Sequence, residues 1–145
     1  NYTMMGDTVN LAARLESACK QYGIYTHISE DTYKNISNDV TVRELDRIQV
    51  IGRENPVTTY ELISLKGEES SQHKELIDGF ADGLSKYKNQ DWDRARAVFE
   101  NTEKLEDMFK GRKTNPSRVY VERCNMYKES PPAKNWDGVT RLTIK

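Results

Sequence analysis

The sequence predicts an α+β fold: a helix, a strand, a short helix and a β-hairpin, followed by a small all-α helical-hairpin region. Three observations predict it. Strand-like runs of β-branched and apolar residues fall in the first 65 residues and again only in the tail. Beyond Lys74 the apolar spacing changes to the three-and-four step of an amphipathic helix. Between the two lies Lys66–Lys74, polar, Ser-containing and without periodicity, as a linker is. The chain therefore divides into residues 1–65, a linker at 66–74, a helical region at 75–130 and an extended tail at 131–145.

In order, Tyr2–Met5 reads as the end of a strand and Gly6 as a tight turn, since glycine takes positive φ at no steric cost. Asp7 suits a helix start, where a carboxylate accepts from orphan N–H groups. That helix runs to about Gln21, with Gly23 as its C-cap. Ile24–Ile28 alternates as a strand does. Ser29 caps a short helix ending near Asn35, with Glu30 and Asp31 in its first turn. Val40–Val50 is a strand in which Val42, Ile48 and Val50 are in phase and Leu45 is not, which places a bend or bulge near Glu44. Gly52–Pro56 is turn chemistry, and Val57–Leu65 closes the hairpin.

Past the linker, Leu76/Ile77, Phe80, Leu84 and Tyr87 form one stripe. Asp91 caps a second helix with the stripe Trp92, Ala95, Val98/Phe99, Thr102 and Leu105, and the Asn89-Gln90 turn makes the pair an αα-hairpin. Small residues at Gly83 and Ala95 let the two helices approach closely. Asn115-Pro116 opens a third helix with the stripe Val119, Tyr120, Arg123/Cys124 and Tyr127. Aromatic stripes at this spacing more often face a core than a peptide groove. The segment Trp136–Ile144 alternates and suits an added strand or a partner chain.

Composition narrows the function. With 22 Lys+Arg against 23 Asp+Glu the net charge is −1, which argues against a general nucleic-acid binder. No run reaches transmembrane length and no signal peptide is visible, so no membrane contact and a cytoplasmic location are expected. Cys19 and Cys124 lie far apart without metal-ligand spacing and read as small hydrophobes in a reducing compartment. His27, in a strand, and His73, in the linker, receive no role.

The chemistry gathers at the first helix. Asn10 and Arg14 sit at i, i+4 and project from one face, which offers a neutral amide beside a guanidinium fork matched to phosphate oxygens. On an ordinary helix such a pair is simply solvated. The surrounding string is not ordinary: Gly6-Asp7-Thr8-Val9-Asn10-Leu11-Ala12-Ala13-Arg14-Leu15-Glu16 closely resembles the signature of class III adenylyl and guanylyl cyclases, in the second half of their catalytic domain. The resemblance covers roughly residues 1–65.

The resemblance implies a partial ferredoxin-like catalytic domain and a set of roles. Asn10 would orient the ribose, and Arg14 would bind phosphate oxygens as the 3′-hydroxyl attacks the α-phosphate. Thr3, seven residues before Asn10, matches the purine-reading position and is similar to the Thr of a bacterial, adenine-specific subgroup. In the hairpin turn, many members carry a Lys reaching the triphosphate where this chain has Ile51; Arg53 either substitutes as a point charge or is a solvated turn residue. The implied activity is adenylate cyclase, a phosphorus–oxygen lyase of signal transduction converting ATP to 3′,5′-cyclic AMP and pyrophosphate. The implied cofactors are Mg2+ or Mn2+, with ligands upstream of Thr3, so no residue here is assigned to metal. Because Tyr2 has no preceding strand, the chain is expected to be the C-terminal part of a longer protein, inactive alone. A head-to-tail homodimer is expected, with segment swapping as one form of it, encouraged by an unpaired edge near Tyr2. Gly83, Tyr87, Asp91-Trp92, Ala95 and Phe99 are similar in spacing to a single tetratricopeptide repeat. Alternatives are a guanylate cyclase, a degenerate cyclase-like regulatory domain, or a helical-repeat protein-binding module.

Overall fold

The computed structural model describes residues 2–142 apart from positions 51 and 53, with side chains from Asn10 onward. The chain begins with α1 (Tyr2–Tyr22), then β1 (His27–Ser29), α2 (Glu30–Ile36), β2 (Val40–Gln49) and β3 (Val57–Leu65). The helical segment follows as α3 (Ser71–Lys88), α4 (Trp92–Glu103), a 3-10 turn (Lys104–Met108) and α5 (Pro116–Glu129). β4 (Thr140–Arg141) ends the described fold. The fold is α+β, as the sequence predicts. The sheet order is β1-β3-β2-β4; β4 runs parallel to β2 and the other pairs are antiparallel. The β-prone tail thus supplies an edge strand.

Most local expectations hold. Ser29 caps α2, accepting from the Thr32 N–H at 3.3 Å, and Asn115 caps α5 ahead of Pro116. Gly23 ends α1 at φ +72°, donating to the Cys19 carbonyl at 2.8 Å. The β2–β3 register slips between Glu44 and Asp46, leaving Leu45 as the extra residue of a bulge.

Three expectations are corrected. Tyr2–Met5, read as a strand, lies inside α1, as do Gly6 and Asp7, so neither a turn nor a helix start occurs there. A strand needs a neighbour to pair its N–H and C=O groups, whereas a helix pairs them internally; none of the described strands pairs with this stretch. The unpaired edge expected near Tyr2 disappears with the strand. The strand expected over Ile24–Ile28 shrinks to His27–Ser29, and Ile24 is instead a core residue. The linker is shorter than read, because Ser70 and His73 form a capping box that starts α3 at Ser71. A His imidazole plays the part usually taken by Glu or Gln there, accepting from the Ser70 N–H at 3.0 Å.

The sheet has one buried face. Directly paired residues point the same way, so His27, Glu61 and Arg43 form one row across three strands, and Ser29, Thr59 and Asp46 another. These rows lie under α1 and the helical segment: His27 Nδ1 meets the Leu15 carbonyl at 3.0 Å, and the Arg43 guanidinium sits 4.8 Å from the Phe80 ring centre. The intervening row of Ile28, Tyr60 and Glu44 faces the other way, where Tyr33 of α2 packs on Tyr60.

Two apolar clusters fill the space. Leu11, Leu15, Ala18 and Tyr22 of α1 pack with Leu45, Ile48, Val50 and Leu142. Phe80, Leu84, Tyr87, Ala95, Phe99, Tyr120, Val121 and Cys124 form the second, with Trp92 and Trp136 against it. The helical stripes therefore face a core. At the α3–α4 crossing a Cβ on Gly83 would lie 2.7 Å from the Phe99 ring, so any larger residue would force that ring to shift.

Candidate functional site

The geometry of α1 separates two roles. Its buried residues Leu11, Leu15, Ala18 and Tyr22 recur at steps of four and three, the spacing of one helix stripe. Asn10 and Arg14 flank that stripe one turn apart, about 6 Å along the axis; Asn10 is exposed and Arg14 half-buried. The structure brings these two together on one flank. Thr3 lies about two turns N-terminal to Asn10 in the same helix, and only its backbone is described. Ile51 and Arg53 lie outside the described residues.

The far end of α1 is fixed by a polar cluster absent from the sequence reading. The Tyr22 hydroxyl donates to Asp46 Oδ2 at 2.5 Å. Arg123 of α5 donates to the same oxygen at 2.9 Å and to the Tyr22 oxygen at 3.3 Å. Thr140 of β4 donates to Asp46 Oδ1 at 3.2 Å, and the Arg47 N–H to the same oxygen at 2.8 Å. Burial first, then the Asp46 charge, pushes the Tyr22 phenol far above its ordinary range, so it serves as a donor. One carboxylate thereby ties helix, sheet, helical segment and tail. Just beyond, a Cβ on Gly23 would lie 2.2 Å from the Thr114 carbonyl oxygen, so the α1 C-cap also abuts the loop leading to α5.

A second buried network sits on the same sheet face. Arg43 is fully enclosed and pairs with Glu61 of β3 and, at 2.6 Å, with Glu106 of the 3-10 turn. Glu106 also accepts from the Ser117 N–H at 3.1 Å and hydroxyl at 2.7 Å. Arg112 reaches the other oxygen of Glu61 at 2.6 Å, its guanidinium lying over the Phe109 and Tyr25 rings. Burial alone would lower the Arg43 guanidinium, but the two carboxylates outweigh it and hold it above its usual value. The sequence carried a partial signal: opposite charges at inward-facing positions of paired strands. Arg123 was placed in the inward stripe of α5, but its partner was not.

His27 and Cys124 are structural. Burial depresses the His27 imidazole, whose Nδ1–H donates to the Leu15 carbonyl. Burial pushes the Cys124 thiol up to about 12. Among the described residues no group of three His, Cys, Asp or Glu side chains could hold a metal ion.

A helix laid on an antiparallel hairpin thus presents an amide and a guanidinium on its outer flank. Residues 1–64 match the adenylate and guanylate cyclase catalytic domain. Both kinds of cyclase occur among similar proteins. An adenylate cyclase, terminal-differentiation specific, of Dictyostelium discoideum is 28% identical over 126 residues, 84% of this chain and 6% of the relative. An adenylate cyclase of Anabaena cylindrica is 35% identical over 63 residues, 41% of this chain and 12% of the relative. Guanylate cyclase beta of Plasmodium berghei (strain Anka) is 31% identical over 77 residues, 53% of this chain and 2% of the relative. The chain thus spans a small part of each. No solved structure matches it. The cyclase match stops before α3, yet a match over 84% of the chain necessarily continues into the helical segment.

Proposed function

We propose that this chain carries part of the catalytic domain of a class III adenylate cyclase. The reaction joins the ribose 3′-oxygen of ATP to the α-phosphorus, breaks the bond from that phosphorus to the pyrophosphate oxygen, and releases the 3′-hydroxyl proton. The observation that carries the proposal is the pairing of Asn10 and Arg14 on one flank of α1, inside the segment matching the cyclase domain. In this reading Asn10 holds the ribose so that its 3′-oxygen faces the α-phosphorus. Arg14 places N–H donors on the phosphate oxygens whose charge relocates, and a preset guanidinium needs no reorganisation as that occurs. Thr3 accepts from the adenine N6 amine, and Arg53 contributes charge toward the triphosphate. Mg2+ or Mn2+ is the expected cofactor. Among the described residues no ligand set for it occurs, so this reading places its ligands beyond them, and no step is derived through the metal.

The same reading makes the active protein a head-to-tail homodimer at the cytoplasmic face or in the cytoplasm, and leaves the 145-residue chain inactive alone. No helix among the described residues is long and apolar enough to cross a membrane. A guanylate cyclase is the second reading, favoured by the Plasmodium berghei relative; a degenerate, regulatory cyclase domain is the third, kept by Ile51 in the hairpin turn.

The test is product formation by the full-length protein from ATP and from GTP separately, with Mn2+, beside Arg14→Ala. Cyclic AMP from ATP alone, reduced about 100-fold or more by Arg14→Ala, is the expected result. Cyclic GTP product would move the assignment to the second reading. No product, or full turnover by Arg14→Ala, would overturn the catalytic reading.

A further inference from the structure

We infer that Arg123 is a positioning residue for the cyclase reaction: acting through Asp46 and Tyr22, it sets the placement of the Asn10/Arg14 flank of α1. The inference rests on the cyclase reading above. It extends the working part of the protein beyond the cyclase match, into α5 and the tail.

Four observations lead to it. Arg123 bridges Asp46 of β2 and Tyr22 of α1 at 2.9 and 3.3 Å, so one guanidinium fixes the helix end to the sheet. The bridge is shielded: the side chains of Arg123 and Asp46 are 12% and 2% exposed. The Arg123 guanidinium also lies 4.8 Å from the Tyr120 ring centre, and Tyr120 in turn donates to the Leu45 carbonyl at the bulge. Finally, the helical segment and tail complete the core under α1, through Val119 and Leu142 and through the Gly23–Thr114 contact.

A helix behaves as a rod over this span. Tyr22 lies eight residues past Arg14, about 12 Å along the axis. Releasing Tyr22 lets α1 tilt or turn on its apolar stripe, which is non-directional and defines rotation poorly. The displacement appears at Asn10 and Arg14, where an error of about 1 Å costs about 100-fold in rate. The similarity to the Dictyostelium discoideum adenylate cyclase, running on into the helical segment, fits a segment that works with the domain before it.

The experiment compares Arg123→Gln, Arg123→Lys and Tyr22→Phe in the full-length protein, measuring kcat and KM for ATP well below the unfolding temperature. Active sites are counted so that lost folding does not count as lost turnover. Arg123→Gln is expected to lower kcat about 10-fold with KM within about twofold, a fraction of the loss set by misplacement. Arg123→Lys keeps a charged donor for Asp46 and recovers part of it. Tyr22→Phe keeps the ring packing, loses only the hydroxyl, and is expected to lower kcat about threefold. Because part of the Arg123 effect runs through Arg14 and the rest through Asn10, Arg123→Gln combined with Arg14→Ala should lose less than the product of the two single losses. Normal kcat per active site in Arg123→Gln, or losses that multiply in the double variant, would overturn the inference while leaving the cyclase reading intact. Full turnover in Arg14→Ala would remove the cyclase reading, and this inference with it.

Discussion

On the outer flank of α1, Asn10 stands in solvent beside half-buried Arg14, while beneath the same helix Tyr22, Asp46 and Arg123 are closed in together. Both regions are polar, but they obey different rules. An exposed amide such as that of Asn10 keeps its water until a ligand replaces it, so it adds little to stability. An enclosed charge must find partners within the fold, and removing one partner leaves the others buried without compensation. The difference separates the residues proposed to act from those that hold the fold, and the predictions follow from it.

The largest effect is expected in the second buried network. Arg43→Met leaves Glu61 facing Arg112 alone and strips Glu106 of its charged partner; the loss should be about 3–5 kcal/mol in denaturant unfolding. A loss below about 1 kcal/mol, the scale of an exposed pair, would place this network with the outer flank instead. Gly23→Ala should cost about 2–4 kcal/mol, because it combines a left-handed φ with a collision against the rigid Thr114 backbone. Gly83→Ala meets a movable ring edge of Phe99 and should cost about 1–3 kcal/mol. A reversed order of the two glycine variants would contradict the distinction between rigid and yielding neighbours.

A smaller effect concerns pH. Burial holds the His27 imidazole below its ordinary value of 6.5, so the unfolded chain binds the proton more readily than the folded one. Its contribution is therefore complete above pH 6.5 and declines as pH falls below it. His27→Gln should flatten the acid limb of the stability profile between about pH 7 and about pH 5. An unchanged acid limb would show that His27 does not titrate across unfolding.

Much of this fold was legible in the sequence because local chemistry decided it. Gly23 at a helix end, Ser29 before two acids, Asn115 before Pro116 and the misphased Leu45 each fix a local geometry that tertiary contacts did not override. The stretch Tyr2–Met5 was misread because whether it pairs as a strand depends on a neighbour, and the described sheet offers none there. The candidate pair Asn10/Arg14 was legible through spacing and a dense motif. Its support was not: Asp46 and Arg123 lie 77 residues apart, and nothing local to either names the other. A charged residue in an inward stripe, such as Arg123, was the available clue. Thr3 and Arg53 remain assigned by resemblance, since the side chain of the first and the whole of the second fall outside the described residues.

The separation of acting from holding residues is tested most directly by Asn10→Ala in the full-length protein, with turnover and denaturant unfolding measured on the same preparation. Asn10 is exposed within α1, and alanine is the better helix former, so stability should stay within about 0.5 kcal/mol of the parent. Cyclic nucleotide formation should fall about 100-fold. Turnover preserved at unchanged stability would contradict the account, because the outer flank of α1 would then be an ordinary solvated helix surface.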